Sequence, residues 1–215
     1  MRAIRFDRTG GPEVLQLVEV DTPEPRPGQV RVRHEAIGVN FIDTYHRTGL
    51  YPAKLPCTPG GEAAGVVEAV GDGVTRVKVG DRVAYSGGFG AYADANVVPA
   101  DRVVKLPEGI DVHVAAAILL KGMTTEAFVR RCYPVQAGQT VLVHAAVGGV
   151  GQIMTQWLKA IGAEVIATVG SEAKAARARE LGADHVILYR DQDVAAEVKR
   201  ITGGKGVPVA YDSVG

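Results

Sequence analysis

Cysteine is scarce in the 215 residues: only Cys57 and Cys132 occur, far apart and outside any CxxC pair. That excludes a disulfide framework and a four-cysteine zinc site, and it fits reduced thiols in a cytoplasmic protein. No sign of charge dominates, since 24 basic and 24 acidic residues give zero net charge. Divided after residue 118, the two parts carry −2 and +2, so neither has the basic field that would make nucleic acid the main partner. No uninterrupted apolar run reaches the roughly 18 residues of a membrane span, and MRAIRFDRTG lacks the apolar core of a signal peptide. No GxxxxGK[ST] triphosphate loop, HExxH pair, nucleophile elbow or serine-histidine-acid arrangement is present. The five histidines, at 34, 46, 113, 144 and 185, are scattered, so no metal is expected.

What is present is an ordinary globular balance, 47% hydrophobic and 22% charged, with 27 glycines and 11 prolines dispersed along the chain. The first hundred residues predict strands. QVRVRHEAIGV (29–39) alternates apolar and polar residues, GEAAGVVEAVG (61–71) and GDRVAYSG (80–87) are short β-prone runs between glycines, and residues 91–107 hold two more. Short strands punctuated by Pro-Gly and Gly-Gly steps imply a compact barrel-like β domain.

Near residue 112 the texture changes. DVHVAAAILLKGMTTEAFVRR predicts a helix that Gly122 interrupts. TVLVHAA (140–146) predicts a fully buried parallel strand, and Val150, Ile153, Met154, Trp157, Leu158 and Ile161 share one helical face after it. AEVIATVG, SEAKAARARELG, HVILY, DQDVAAEVKRITGG and VPVAYDSVG continue as strand, helix, strand, helix and strand. Ser171 is the expected N-cap of the first of these helices and Gly182 its C-terminal glycine. This alternation predicts a doubly wound parallel sheet. Such sheets usually have about six strands, and only four candidates are found, so the chain is expected to end mid-fold.

Strand TVLVH runs straight into Ala145-Ala146-Val147-Gly148-Gly149-Val150-Gly151 and a helix. Ala146, Gly148 and Gly151 take the three positions of G-x-G-x-x-G. A small first residue permits the tight turn, Gly148 admits a pyrophosphate close to the backbone, and Gly151 lets the helix pack against the strand. The free N–H groups of the helix start would receive the anion. An acid about 20 residues further on would bind the ribose 2′-hydroxyl of NAD, but Val169, Gly170 and Ser171 stand there. Lys174, one turn into the helix, and Tyr189, ending the next strand, favour the 2′-phosphate of NADPH. Glu172 is the residue that would instead reach a ribose.

GGPEVLQLVEV, AIGVNFIDTYHRTGLYP, PGGEAAGVVEAVGDGV, GDRVAY, LLKGMTT, HAAVGGVG and YDSVG together resemble the quinone oxidoreductases, the zeta-crystallin-like branch of the medium-chain dehydrogenase/reductase superfamily. The resemblance runs the length of the chain. It implies a GroES-like β-rich barrel domain for catalysis and substrate (1–118), then an incomplete Rossmann NADPH-binding domain (119–215), with the active site in the cleft between them. It also implies NADPH-dependent, zinc-independent reduction of a quinone, with Asn40, Tyr45 and Thr124 near the nicotinamide. Gly148, Gly149 and Val150 would hold the pyrophosphate, and Ser171, Lys174 and Tyr189 would surround the 2′-phosphate. Where the related zinc alcohol dehydrogenases need a cysteine and a G-H-E histidine, this chain reads Asn40 and Gly60-Gly61-Glu62.

A quinone accepts hydride without a Lewis acid, so the protein mainly positions two rings and excludes water. Asn40 would bond the nicotinamide ribose or a substrate oxygen, and Tyr45 would stack on or donate to the acceptor. Asp43 reads as a helix-cap residue and His46 as a surface histidine rather than a proton relay. Two alternatives stand beside quinone reduction: an NADPH-dependent alkene reductase acting on enones or enals, and a non-catalytic NADPH-binding or interaction protein. Relatives usually run roughly another hundred residues, which implies missing sheet strands, a missing return segment, and a homodimer for a complete chain.

Overall fold

The structure, a computed structural model, describes residues 1–212; Ser213, Val214 and Gly215, which end the expected fourth strand and the YDSVG motif, lie outside the described residues. The chain divides into two compact units, Met1–Leu120 and Lys121–Gly215.

In the first unit β1 (Arg2–Arg5) and β2 (Gln16–Glu19) pair as an antiparallel ribbon. Five further strands, β3 (Gln29–Gly38), β4 (Glu62–Val70), β5 (Arg82–Ser86), β6 (Ala95–Pro99) and β7 (Val103–Lys105), form an antiparallel sheet in the order β6-β3-β4-β5-β7. Bridges Ala3–Ala93 and Phe6–Cys57 tie the N-terminal segment to later loops. Alternation along β3 turns Val30 and Val32 inward, where they are fully buried against Val67, Val83 and Tyr85. The periodicity did not reveal β1, β2 or α1 (Phe41–Thr48). The helix FIDTYHRT is short and rich in β-prone residues. Its ends define it: Asp43 accepts the backbone N–H of N-cap Asn40 at 2.9 Å, and Gly49 closes it with φ 85°.

His34, on β3, lies between the Ala93 carbonyl (2.7 Å) and the Tyr85 hydroxyl (2.9 Å). Burial pushes its imidazole below the ordinary value, outweighing the raising effects of the Ala93 and Ala91 carbonyls and of Asp94.

α2 (Val112–Glu126) contains the boundary between the units and continues as a π-helical turn, Ala127–Cys132. The expected interruption at Gly122 does not occur. A helical glycine costs only about 1 kcal/mol, which a helix of this length absorbs. The unbroken element Val112–Cys132, 21 residues long, is apolar enough by length and composition to cross a membrane. Lys121 and Glu126 interrupt the stretch, so it holds no uninterrupted apolar run of that length. Length and composition alone do not separate such a helix from one in a globular protein.

The second unit is built on parallel strands β8 (Thr140–Val143), β9 (Glu164–Val169), β10 (His185–Leu188) and β11 (Ala210–Tyr211), in the order β10-β9-β8-β11. They alternate with α3 (Gly149–Ile161), α4 (Glu172–Glu180) and α5 (Val194–Ile201). The chain steps from β8 to β9 to β10, then returns to lay β11 on the other side of β8. That reversal makes the carboxyl end of β8 a topological switch point, where ligands of doubly wound sheets bind. Met154 and Leu158 of α3 are buried in the core with Val141, Val143, Val165 and Ala167, while Val150, Trp157 and Ile161 pack at its margin.

Two outcomes are expected. A Cβ on Gly122 would meet nothing within 4 Å. Gly122→Ala should therefore raise stability by about 0.5–1 kcal/mol in urea unfolding, through helix propensity and lower unfolded-state entropy. Between the ordinary histidine value near 6.5 and the lower folded value, the unfolded chain binds the extra proton. Stability should fall as pH drops below about 6.5, and more steeply in the wild type than in His34→Gln. Parallel pH profiles for the two proteins would refute this assignment.

Candidate functional site

β8 ends at Val143, and the backbone turns through His144–Gly148 into α3. The left-handed conformation that the tight turn requires falls on Ala145, with φ 49°, rather than on Ala146. Ala146 is fully buried, and its N–H donates to the Thr168 carbonyl at 3.3 Å, so it packs beneath the turn. Gly148 is the N-cap of α3 and donates to the Ala145 carbonyl at 2.8 Å. Any side chain on Gly151 would run into that same Ala145 oxygen and into the Ala146 backbone, so the third fingerprint position is a close approach only glycine permits. A Cβ on Gly149 would stand 3.1 Å from Lys121 Cε. The N–H groups of Gly149, Val150 and Gly151 belong to the first helical turn, which has no intrahelical acceptors and carries the positive end of the helix dipole. This cradle suits a pyrophosphate.

Beside the turn lies a cleft of about 340 Å³, lined among others by Gly148, Thr168, Gly170, Lys174, Tyr189 and Asp212. It brings Gly148, Lys174 and Tyr189 together, as expected for a dinucleotide. Ala146, Gly149, Val150, Gly151 and Ser171 do not line it. Val150 and Gly151 instead line a second cavity of about 360 Å³ with Phe128, Met154 and Tyr211. Ser171 caps α4, its hydroxyl oxygen accepting the Lys174 N–H at 3.4 Å. Glu172 is exposed in the first turn of α4 and is not part of the cleft lining. At Gly170 an added Cβ would come within 2.6 Å of the Tyr189 hydroxyl and 3.4 Å of Arg190 Nε. Arg190 was not foreseen; the adjacent Tyr-Arg pair at the end of β10 was its signal. His144 Nδ1 and Thr168 Oγ1, 2.9 Å apart, join the ends of β8 and β9 under the cleft.

In the first unit Asn40 is half-buried, and its Nδ2 donates to Glu62 Oε2 at 2.8 Å. Asp43, the expected cap residue, is buried and also accepts the Tyr92 hydroxyl at 2.8 Å. Burial first, and then that carboxylate, raise the Tyr92 phenol well above its ordinary value, so its proton stays in place. Tyr45 is half-buried and meets Phe41 and Tyr51 edge-on, with ring centroids 5.3 and 5.2 Å away. His46 is not a surface histidine: its ring lies 4.7 Å from that of Phe89, and its Nδ1 is buried without a hydrogen-bond partner. Thr124 is half-buried on α2. Among the described residues no group of three or more His, Cys, Asp or Glu is placed to hold a metal. Glu62 joins the expected residues; its signal in the sequence is a carboxylate inside a run of buried β positions.

Two family models match the chain: an alcohol dehydrogenase GroES-like domain over residues 26–108 and a zinc-binding dehydrogenase over residues 149–215. A quinone oxidoreductase of Pseudomonas aeruginosa is 52% identical over all of the chain and 66% of its own length. A 2-haloacrylate reductase of a Burkholderia species is 48% identical, over 97% of the chain and 65% of its own length. The crystal structure of Escherichia coli quinone oxidoreductase complexed with NADPH superposes with a TM-score of 0.98 at 48% identity, covering the whole chain and 67% of its partner. The chain thus spans about two thirds of the length of the relatives it matches. Identity near one half along the entire chain, on the same GroES-like and partial Rossmann backbone, means that the chain belongs to the quinone oxidoreductase family of the GroES-like, zinc-binding dehydrogenases.

Proposed function

We propose that the chain belongs to an enzyme that reduces quinones with NADPH, residues 1–118 serving the substrate and residues 119–215 the cofactor. The observation that carries this is the cleft at the carboxyl end of β8, where Gly148, Lys174 and Tyr189 converge and Gly170 stands at the end of β9 in place of a ribose-binding acid. A cation, a phenol and a bare backbone suit a 2′-phosphate, whereas NAD calls for a carboxylate there. Bound NADPH would supply the hydride.

The chain's own residues then have distinct tasks. Gly149, Val150 and Gly151 offer backbone N–H groups to the pyrophosphate, and Lys174, Tyr189 and Arg190 surround the 2′-phosphate, while Ser171 caps the helix that carries Lys174. Asn40 and Thr124 hold the nicotinamide end through hydrogen bonds. Tyr45, supported by Phe41 and Tyr51, provides an aromatic face for a planar acceptor. The protein acts as a homodimer in the cytoplasm, the first supported by the family resemblance and the second by two free cysteines. A second reading, reduction of an activated alkene, is favoured by the 48% identity to a 2-haloacrylate reductase.

Lys174→Ala should weaken NADPH binding about tenfold in a nicotinamide fluorescence titration and leave NADH binding unchanged. Equal losses for both cofactors would defeat the 2′-phosphate assignment. Asn40→Ala should lower turnover of 1,4-benzoquinone more than it lowers thermal stability, and unchanged quinone reduction would remove Asn40 from the site. Faster oxidation of NADPH with 2-chloroacrylate than with 1,4-benzoquinone would establish the alkene reading instead.

A further inference from the structure

Glu62, the first residue of β4, is fully buried. Its Oε1 accepts the backbone N–H of Leu120 at 2.7 Å and its Oε2 accepts Asn40 Nδ2 at 2.8 Å. Its partner across the strand pair is Gly38, and a side chain there would collide with the Glu62 carboxylate and with the Ala116 carbonyl. The fold therefore reserves space for this carboxylate. Asn40 follows two residues after Gly38, and its backbone N–H is held by a second carboxylate, Asp43, which Tyr92 holds in turn.

We infer that Glu62 is the positioning residue of Asn40: with the Gly38 carbonyl, which accepts the same Nδ2 at 3.5 Å, it decides which end of the amide is the donor and which the acceptor. The inference rests on the reading above, in which Asn40 meets the cofactor or substrate. An ionised carboxylate only accepts hydrogen bonds, whereas a primary amide has one donating and one accepting end. With Glu62 accepting, the NH2 group points to Glu62, and Oδ1, which faces the Asp43 backbone N–H in the capping box of α1, is the end that accepts. Burying a carboxylate is expensive, and apolar packing would stabilise the same space at least as well. A fixed amide orientation is what the polar pair supplies and apolar residues would not.

Glu62→Gln tests this directly. Leu120 N–H keeps the glutamine carbonyl, so the glutamine NH2 faces Asn40 and turns its amide over. With NADPH and 1,4-benzoquinone, kcat should fall about 10- to 100-fold while KM for NADPH changes less. The double variant Glu62→Gln/Asn40→Asp exchanges donor and acceptor at constant total charge, and should recover kcat to within about threefold of the wild type. Asn40→Asp alone places two carboxylates face to face and should remain impaired. In the wild type, the Asn40 side-chain amide should give a slowly exchanging proton pair in 15N-resolved NMR. Undiminished kcat in Glu62→Gln, or a folded double variant no better than Glu62→Gln, overturns the role. If Glu62→Gln does not fold, the double variant and the NMR signal decide, and a rapidly exchanging Asn40 amide rejects the role. Wild-type protein that oxidises no NADPH refutes the functional reading, while the NMR signal still judges the positioning.

Discussion

The second unit depends on one close approach, that of Gly151 in the first turn of α3 to the backbone of Ala145 and Ala146 after β8. If the helix stood off by the radius of a methyl group, Met154 and Leu158 would lift from the sheet core they fill. The same approach aims the N–H groups of the first helical turn outward at the carboxyl edge of the sheet. Packing and anion binding are thus consequences of one steric fact, and the turn bears its cost at Ala145, an L-residue held at positive φ.

The first unit solves a different problem. Its sheet buries a largely apolar core, yet Asp43 and Glu62 lie inside it. Each carboxylate is held by hydrogen bonds, and the two converge on one residue, Asp43 on the backbone N–H of Asn40 and Glu62 on its side-chain amide. Asp43 and Glu62 are both buried, so the groups bonded to them have few alternative partners. A low-dielectric setting makes such bonds directional and costly to rearrange.

The alternation of β3, the buried run of β8 and the glycine spacing after it were legible because each is a local consequence of periodicity or sterics. Lys174 and Tyr189 were found by counting from the glycines, since strand and helix lengths in such units vary little. α1 and the ribbon β1–β2 were not legible: FIDTYHRT carries weak helix propensity, and tertiary contacts at its ends stabilise it. The tight turn was placed one residue late, on Ala146, because spacing alone does not separate the residue that bends from the residue that packs. Gly122 looked like a break and is not one, because a glycine penalty is small beside the stability of a long helix.

By itself the sequence determined the order of a β domain and a doubly wound sheet, the dinucleotide turn, and the missing acid at the end of β9. These follow from the near neighbours of each residue along the chain. Tertiary structure alone decided that Arg190 approaches Gly170, that His46 packs edge-on against Phe89, and that Glu62 reaches Asn40. Those pairs meet through strand pairing and loop closure across 20 or more positions, or through side-chain direction at the end of a strand, and no periodicity encodes such contacts.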